Sequence, residues 1–349
     1  MKAMILAAGV GSRLDPLTRQ VPKPMVPIVN KPVMEYIVEM LARHGFTEIM
    51  VNLYHLGDQI EDYFKDGAGW GVKIQYSPED QLWGDAGSVK RCEDFFDEDI
   101  FLVVGGDDLA DVDLTGLVDF HRDKKALATI ALSEVEDPSQ YGIACLDDSA
   151  RITRFLEKPT GVDVPSNKAN TGIYLFDRRA LELIPPGVPY GLGRQLCPEL
   201  ITRGAAFYGC LTSSYWKDVG CLEEYRQAHN DALDGKVGIE LPIPKTSEGV
   251  WIGKNVEIDP SAQIGKPVFI GNNCRIEKGA KLLEYSVLGD DCVVEEGCEV
   301  RQSILWQGAR VMRDTMLEGC IVGAGCSVWS NAAAFDGVIV DPVRRNGGK

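Results

Sequence analysis

The stretch Met4-Ile5-Leu6-Ala7-Ala8-Gly9-Val10-Gly11-Ser12-Arg13-Leu14 runs from an apolar segment straight into a glycine-rich turn. An apolar run so placed reads as a strand, and the turn after it offers backbone amides with little side chain in the way, so a phosphate could approach closely. Two common glycine loops do not fit. A dinucleotide loop needs a third glycine where Leu14 stands, and a Walker loop needs Gly-Lys-Ser/Thr, which is absent.

Working outward, short apolar runs alternate with amphipathic stretches to about residue 235, the pattern of strands joined by crossover helices. Pro32, the apolar positions Val33, Ile37, Met40 and Leu41, and then Gly45 mark a helix over Val33 to Arg43. Strands are expected at Ile49 to Leu53 and Ile173 to Phe176. Ile100 to Val104 reads as a strand covered on both faces, delivering Gly105-Gly106-Asp107-Asp108 at its carboxyl end, where open α/β sheets bind ligands.

After Leu241-Pro242-Ile243-Pro244 the period changes to six. Ile252, Ile258, Ile264, Ile270, Ile276, Leu282, Leu288, Val294 and Val300 fall in register, with glycine directly after four of them. Hexapeptide repeats build a parallel β-helix whose aliphatic residues point inward and stack coil on coil. The register slips by one at Leu305 and again at Val322, so the final coils are expected to be irregular or shorter. The domain reading is an α/β region over 1–238, a linker over 239–249, the coil over 250–335 and a tail over 336–349.

The chain has 349 residues, 45% of them apolar, and a formal net charge of −16. That charge argues against a sequence-independent nucleic-acid surface, which needs clustered Lys and Arg. No apolar run approaches the roughly 18 to 20 residues that cross a bilayer. Ten cysteines without paired spacing, and no signal segment after Met1, are read as reduced thiols of a cytoplasmic protein.

The glycine loop continues into Pro16-Leu17-Thr18 and Pro22-Lys23-Pro24-Met25. Here the chain resembles the sugar nucleotidyltransferase family, whose signature is Gly-x-Gly-Ser/Thr-Arg-Leu, then Pro-Leu-Thr and Pro-Lys-Pro. The resemblance implies a Rossmann-like α/β domain with a mixed, mainly parallel sheet, followed by a left-handed parallel β-helix. It implies that Arg13 and Lys23 hold the triphosphate, with Leu6, Ala7, Ala8, Gly9, Gly11 and Ser12 lining the nucleotide. Cations beside a glycine loop are what a polyanionic leaving group requires.

In the implied reaction a sugar-phosphate oxygen attacks the α-phosphorus of a nucleoside triphosphate. The attacking oxygen is already anionic, so alignment and charge neutralisation suffice. Asp107 and Asp218, in Tyr215-Trp216-Lys217-Asp218-Val219-Gly220, match the family's Gly-Asp and Trp-x-Asp-x-Gly motifs, whose aspartates bind Mg²⁺. Asp108 and Asp111 either join them or cap the helix beginning near Leu114.

Glu157-Lys158-Pro159 and Asn170-Thr171-Gly172-Ile173-Tyr174 resemble the segments in which the lysine grips the sugar phosphate and the glutamate and asparagine read hydroxyls; Tyr141-Gly142 fits the same side. Glu79 to Gly87 aligns with the family's nucleobase loop, to which Glu79 and Gly84 belong, but Asp85 replaces its usual threonine. A carboxylate near a triphosphate costs Coulomb energy, so Asp85 is expected to face outward.

The resemblance puts guanylyl transfer to mannose 1-phosphate first and uridylyl or thymidylyl transfer to glucose 1-phosphate second; a nucleotide-binding regulator without turnover is the other class. An acyltransferase in the coil would call on a histidine base, yet His44, His55, His121 and His229 all precede the repeats. The coil is therefore expected to serve homo-oligomerisation or regulation, with Trp251, Trp306 and Trp329 as either interface residues or covers for its ends and corners.

Overall fold

The computed structural model describes residues 1–159, 164–247 and 249–341; residue 248 of the expected linker and residues 342–349 of the expected tail lie outside them. The chain divides into two compact units. One comprises Met1–Val10, Pro22–Pro24 and Met34–Asp218, the other Gly11–Val21, Met25–Val33 and Val219–Lys349.

In the first unit, Lys2–Leu6 lies between Glu48–Leu53 and Ile100–Gly105, parallel to both, and Lys73–Pro78 adds a further parallel strand. Beyond Ile100–Gly105 the sheet turns antiparallel with Lys168–Asp177, which also pairs with Ala128–Glu134. The inner strands are buried on both faces, as their unbroken apolar runs require. The expected helix is present over Val33–Arg43. Gly45 ends it at φ 78°, with the Phe46 amide donating to Leu41 O. Leu114–Asp123 is also helical, but Asp113, neither Asp108 nor Asp111, caps it by accepting from the Gly116 amide.

The second unit is built on a parallel β-helix of three ribbons. Ile270, Leu288, Leu305 and Val322 stack in one column, Ile276, Val294, Val311 and Val328 in the next, and Leu282, Val300 and Leu317 in the third. The slips in period have a simple origin. Val268 pairs with Ser286, 18 residues on, but Ile304 pairs with Ile321, 17 residues on. One residue is dropped at the same corner in each late coil, before Leu305 and before Val322, and the inward columns stay aligned. Another corner is held by Asn255, Asn273 and Asp291, all at positive φ, which these short polar residues tolerate. Their side chains form a hydrogen-bonded ladder.

The same unit includes the hairpin of Pro27–Ile28 and Lys31–Pro32, whose turn residues Val29 and Asn30 have φ of 45° and 66°. A β-branched residue at positive φ persists only when its surroundings hold it. Asn30 Nδ2 donates to Asp290 Oδ1 at 2.8 Å, and Tyr225 OH donates to Pro27 O at 2.7 Å while accepting from Trp306 Nε1. Trp251 and Trp306 are thus buried and do not form an exposed cluster, whereas Trp329 is 76% exposed. All ten cysteines are free thiols. Five lie in the coil, where Cys274, Cys292 and Cys298 donate to backbone carbonyls. Among the described residues no helix is long and apolar enough to cross a membrane.

Two buried imidazoles make the fold sensitive to acid. His121 bonds Thr129 and His229 bonds the Tyr225 carbonyl through Nδ1, while Nε2 of each has no partner. Burial lowers both to about 4. An unfolded imidazole takes up its proton near pH 6.5, so the unfolded chain binds more protons between roughly pH 6.5 and 4. Stability is therefore full above pH 6.5 and is lost as pH falls towards 4. Denaturant midpoints should drop across that window, and less steeply in the double variant His121→Leu, His229→Leu; equal slopes would refute this account.

Candidate active site

Parallel register decides what meets at the carboxyl end of the sheet. Leu6 is level with Asn52 on one side and Gly105 on the other, so the Ala7 turn, Asn52 and Asp107 emerge together. Ala7 N donates to Asn52 Oδ1 at 2.8 Å, and Asn52 Nδ2 donates to Glu79 Oε1 at 3.0 Å. The other carboxylate oxygen, Glu79 Oε2, is buried with no partner. Gly106 N donates to Leu6 O, and a Cβ at Gly106 would stand 3.0 Å from the Ile5 side chain, which is why a glycine leads into the acids.

Trp216–Asp218 pairs antiparallel with Asp108–Ala110, placing Asp218 opposite Asp108 and beside Asp107. Asp107 and Asp218, the two sequence-predicted metal ligands, therefore come together although far apart in the chain. The buried Lys23 ammonium bonds Asp107 Oδ2 and lies 3.2 Å from Asp218 Oδ1. Burial alone would lower its pKa, but the charges of Asp107 and Asp218 outweigh it and hold the lysine protonated well above its usual range. The Asp108 carboxyl is likewise pushed far above its usual range, first by burial and then by the charges of Asp107 and Asp218, which favours its neutral form. Two carboxylates converging on one cation are a donor set that suits Mg²⁺, which takes one or two protein carboxylates and completes its shell with phosphate and water.

A cavity of about 430 Å³ opens beside the Ala7 turn, lined by Leu6, Ala8, Gly9, Asn52, Glu79, Gly84, Asp85, Ser88, Glu157 and Arg194 among others. Asp85 does not face outward as expected. Its Oδ1 accepts from Leu192 N at 2.5 Å and Ala86 N at 2.9 Å, because backbone amides offset the charge that solvent would otherwise have to meet. Burial raises its pKa despite those bonds, and burial also raises that of Glu157, with Lys158 opposing and Asp85 adding to the shift.

Of the sugar-side residues, Glu157 lines this cavity and Gly142 packs beside its carboxylate. Lys158 is exposed at φ 47°, its amide donating to Tyr141 O, while the Tyr141 ring meets Trp216 edge to face. Asn170 bonds Tyr174 OH and the Gly172 amide. Thr171 is fully buried with its hydroxyl on Ala131 O, so its side chain holds the sheet and does not face the cavity. Gly11, Ser12 and Arg13 belong to the second unit, where Thr18 Oγ1 fastens the turn to Gly11 O. Sequence reasoning missed Asn52, Ser88, Gly191, Gly193 and Arg194. Only the strand end at Asn52 carried a signal, since it is the carboxyl end of a strand next to the first.

The family model for nucleotidyl transferase matches residues 2–235, and that for the EIF2B subunit epsilon LbH domain matches residues 247–343. The chain is 40% identical to a UTP–glucose-1-phosphate uridylyltransferase from Synechocystis sp., over 98% of this chain and 94% of that protein. It is 31% identical to a mannose-1-phosphate guanylyltransferase from Mycobacterium tuberculosis, over 75% of this chain and 77% of the other. A crystal structure from Bacillus anthracis, assigned as a glucose-1-phosphate thymidylyltransferase, superposes with a TM-score of 0.61 at 27% identity, covering 71% of this chain and 98% of that one.

Replacing Lys23 by methionine should strand Asp107 and Asp218 without their counter-charge, at about 3–5 kcal/mol in stability. Thermal unfolding of both proteins at neutral pH checks this; an unchanged midpoint contradicts it.

Proposed function

Since the chain belongs to the nucleotidyl transferase family and is a sugar-1-phosphate nucleotidyltransferase, we propose that it transfers uridylate from UTP to glucose 1-phosphate, releasing pyrophosphate. The observation that carries the reaction is the Lys23 ammonium held between Asp107 and Asp218. The sugar-phosphate oxygen forms the new bond to the α-phosphorus as the bond to the pyrophosphate oxygen breaks. No protein nucleophile is needed. Lys23 meets the charge of the departing pyrophosphate, Lys158 that of the sugar phosphate, and Glu157 and Asn170 take sugar hydroxyls. Asp107 and Asp218 would hold Mg²⁺, which supplies charge neutralisation at the reacting phosphates. The choice of UTP and glucose 1-phosphate over the order expected from the motifs is supported by the relative that matches nearly the whole chain.

A second reading, guanylyl transfer to mannose 1-phosphate, is favoured by Glu79. Its unpartnered Oε2 accepts hydrogen bonds, and guanine offers N1–H and N2–H donors side by side, whereas uracil flanks its one N–H with two carbonyls. Pyrophosphate release from a matrix of triphosphates and hexose 1-phosphates distinguishes the two. If GTP is the donor, Glu79→Gln should raise its KM at least tenfold; if UTP is, the change should stay within threefold. Release from no pair would refute both and leave a nucleotide-binding regulator.

Self-association through the last coils, in the cytoplasm, completes the reading. It is supported by Trp329, Phe335 and Met316, which are 76%, 59% and 41% exposed. The double variant Trp329→Glu, Phe335→Glu should shift the full chain to a smaller species in sedimentation; an unchanged mass places the interface elsewhere.

A further inference from the structure

The loop carrying Asp85 and the turn around Tyr190 are laced together inside the first unit. Tyr190 N donates to Trp83 O at 2.8 Å and Gly87 N to Tyr190 O at 2.9 Å. Glycines allow this approach: a Cβ at Gly84 would stand 2.6 Å from Tyr190 O, and one at Gly87 3.2 Å from Tyr190 N. The third stitch is a side chain. Asp85 Oδ1 accepts from Leu192 N at 2.5 Å and from Ala86 N at 2.9 Å, so one carboxylate oxygen ties the start of the helix Asp85–Arg91 to the far turn.

The turn so held touches the sugar side directly. The residue after Leu192 is Gly193, where any Cβ would overlap Glu157 Oε2, and a Cβ at Gly142 would stand 3.0 Å from the same oxygen. The Glu157 carboxylate is therefore wedged between two glycine backbones, one fixed by a strand and one by the turn. Gly142 begins the strand Gly142–Leu146, and Gly193 lies in the helical turn Leu192–Leu196, whose first residue is bonded by Asp85. Gly191, Gly193 and Arg194 line the cavity together with Asp85 and Glu157. A threonine hydroxyl, one bond closer to its own backbone, cannot reach the Leu192 amide from position 85 as the carboxylate does.

We propose that Asp85 is a positioning residue that holds the Tyr190–Arg194 turn, and through it the Glu157 carboxylate, in the shape that receives the hexose 1-phosphate. This rests on the reading of Glu157 as a sugar-binding group. Asp85 touches no reacting atom; it acts by keeping Gly193 against Glu157. The departure from the family's threonine then marks a chain that fixes its sugar wall from the nucleotide loop.

The full chain and its Asp85→Ala and Asp85→Asn variants test this by two readouts. Amide exchange over residues 190–196 should quicken at least tenfold in Asp85→Ala and recover in Asp85→Asn, whose Oδ1 still accepts from Leu192. Pyrophosphate release should show the hexose 1-phosphate KM raised at least tenfold in Asp85→Ala, with the triphosphate KM within threefold and recovery in Asp85→Asn. Unchanged exchange, or equal rises in both KM values, overturns the proposal. If no substrate pair releases pyrophosphate from the parent chain, the reading of function fails by itself, and the exchange data still decide whether Asp85 holds the turn. Should Asp85→Ala not fold, Asp85→Thr takes its place with the same expected losses.

Discussion

One ammonium group, Lys23 Nζ, is the constraint on which the acidic end of the sheet depends. Parallel register brings Asp107 to the carboxyl end of its strand, and the ribbon of Trp216–Asp218 on Asp108–Ala110 brings Asp218 and Asp108 to the same place. Three carboxyl groups so close repel one another, and burial strengthens the repulsion. Lys23 relieves it by contacting two of them, and Asp108 yields by favouring its neutral form. The lysine stands between Pro22 and Pro24, whose fixed φ angles limit where its backbone can go. Those three residues group with the first unit, while the chain on either side of them groups with the second.

What was legible in the sequence follows from how local each signal is. Ile100 to Val104 and the helix Val33–Arg43 were readable because burial on both faces and an apolar stripe leave marks within a few residues. The coil was readable because one aliphatic residue must face inward on every side, and even its slips were visible as changes of interval. Their cause, a corner that loses one residue in each late coil, needed the pairings themselves. Asp107 and Asp218 were legible through short motifs, although 111 residues apart in the chain.

The remainder was hidden because it lies in contacts between distant loops. Asp85 looked like a misplaced charge since nothing nearby in sequence shows that the Leu192 amide awaits it. The helix cap went to Asp113 because it stands directly before Leu114, where its side chain meets the Gly116 amide, a difference of a few residues that the acidic run at 107–113 obscures. Nothing in Val29-Asn30 shows that a strained turn is held by Asp290. Trp306 reads as too large for a thin coil until Tyr225 is seen accepting from its indole.

The charge on the cavity also sorts its ligands. Glu79, Asp85 and Glu157 form an acidic wall, which repels phosphate oxygens but accepts hydrogen bonds from hydroxyl and N–H groups. In the proposed reaction, phosphates would lie towards the amides of the Ala7 turn and the Lys23 ammonium, with base and hexose towards the acids. Such a division needs no change of shape to orient two anionic substrates, since each has one end the wall accepts and one it rejects. It also accounts for a chain of net charge −16 that handles polyanions: the charge that matters is local, and the acids that line the cavity are placed where a sugar or a base, rather than a phosphate, would meet them.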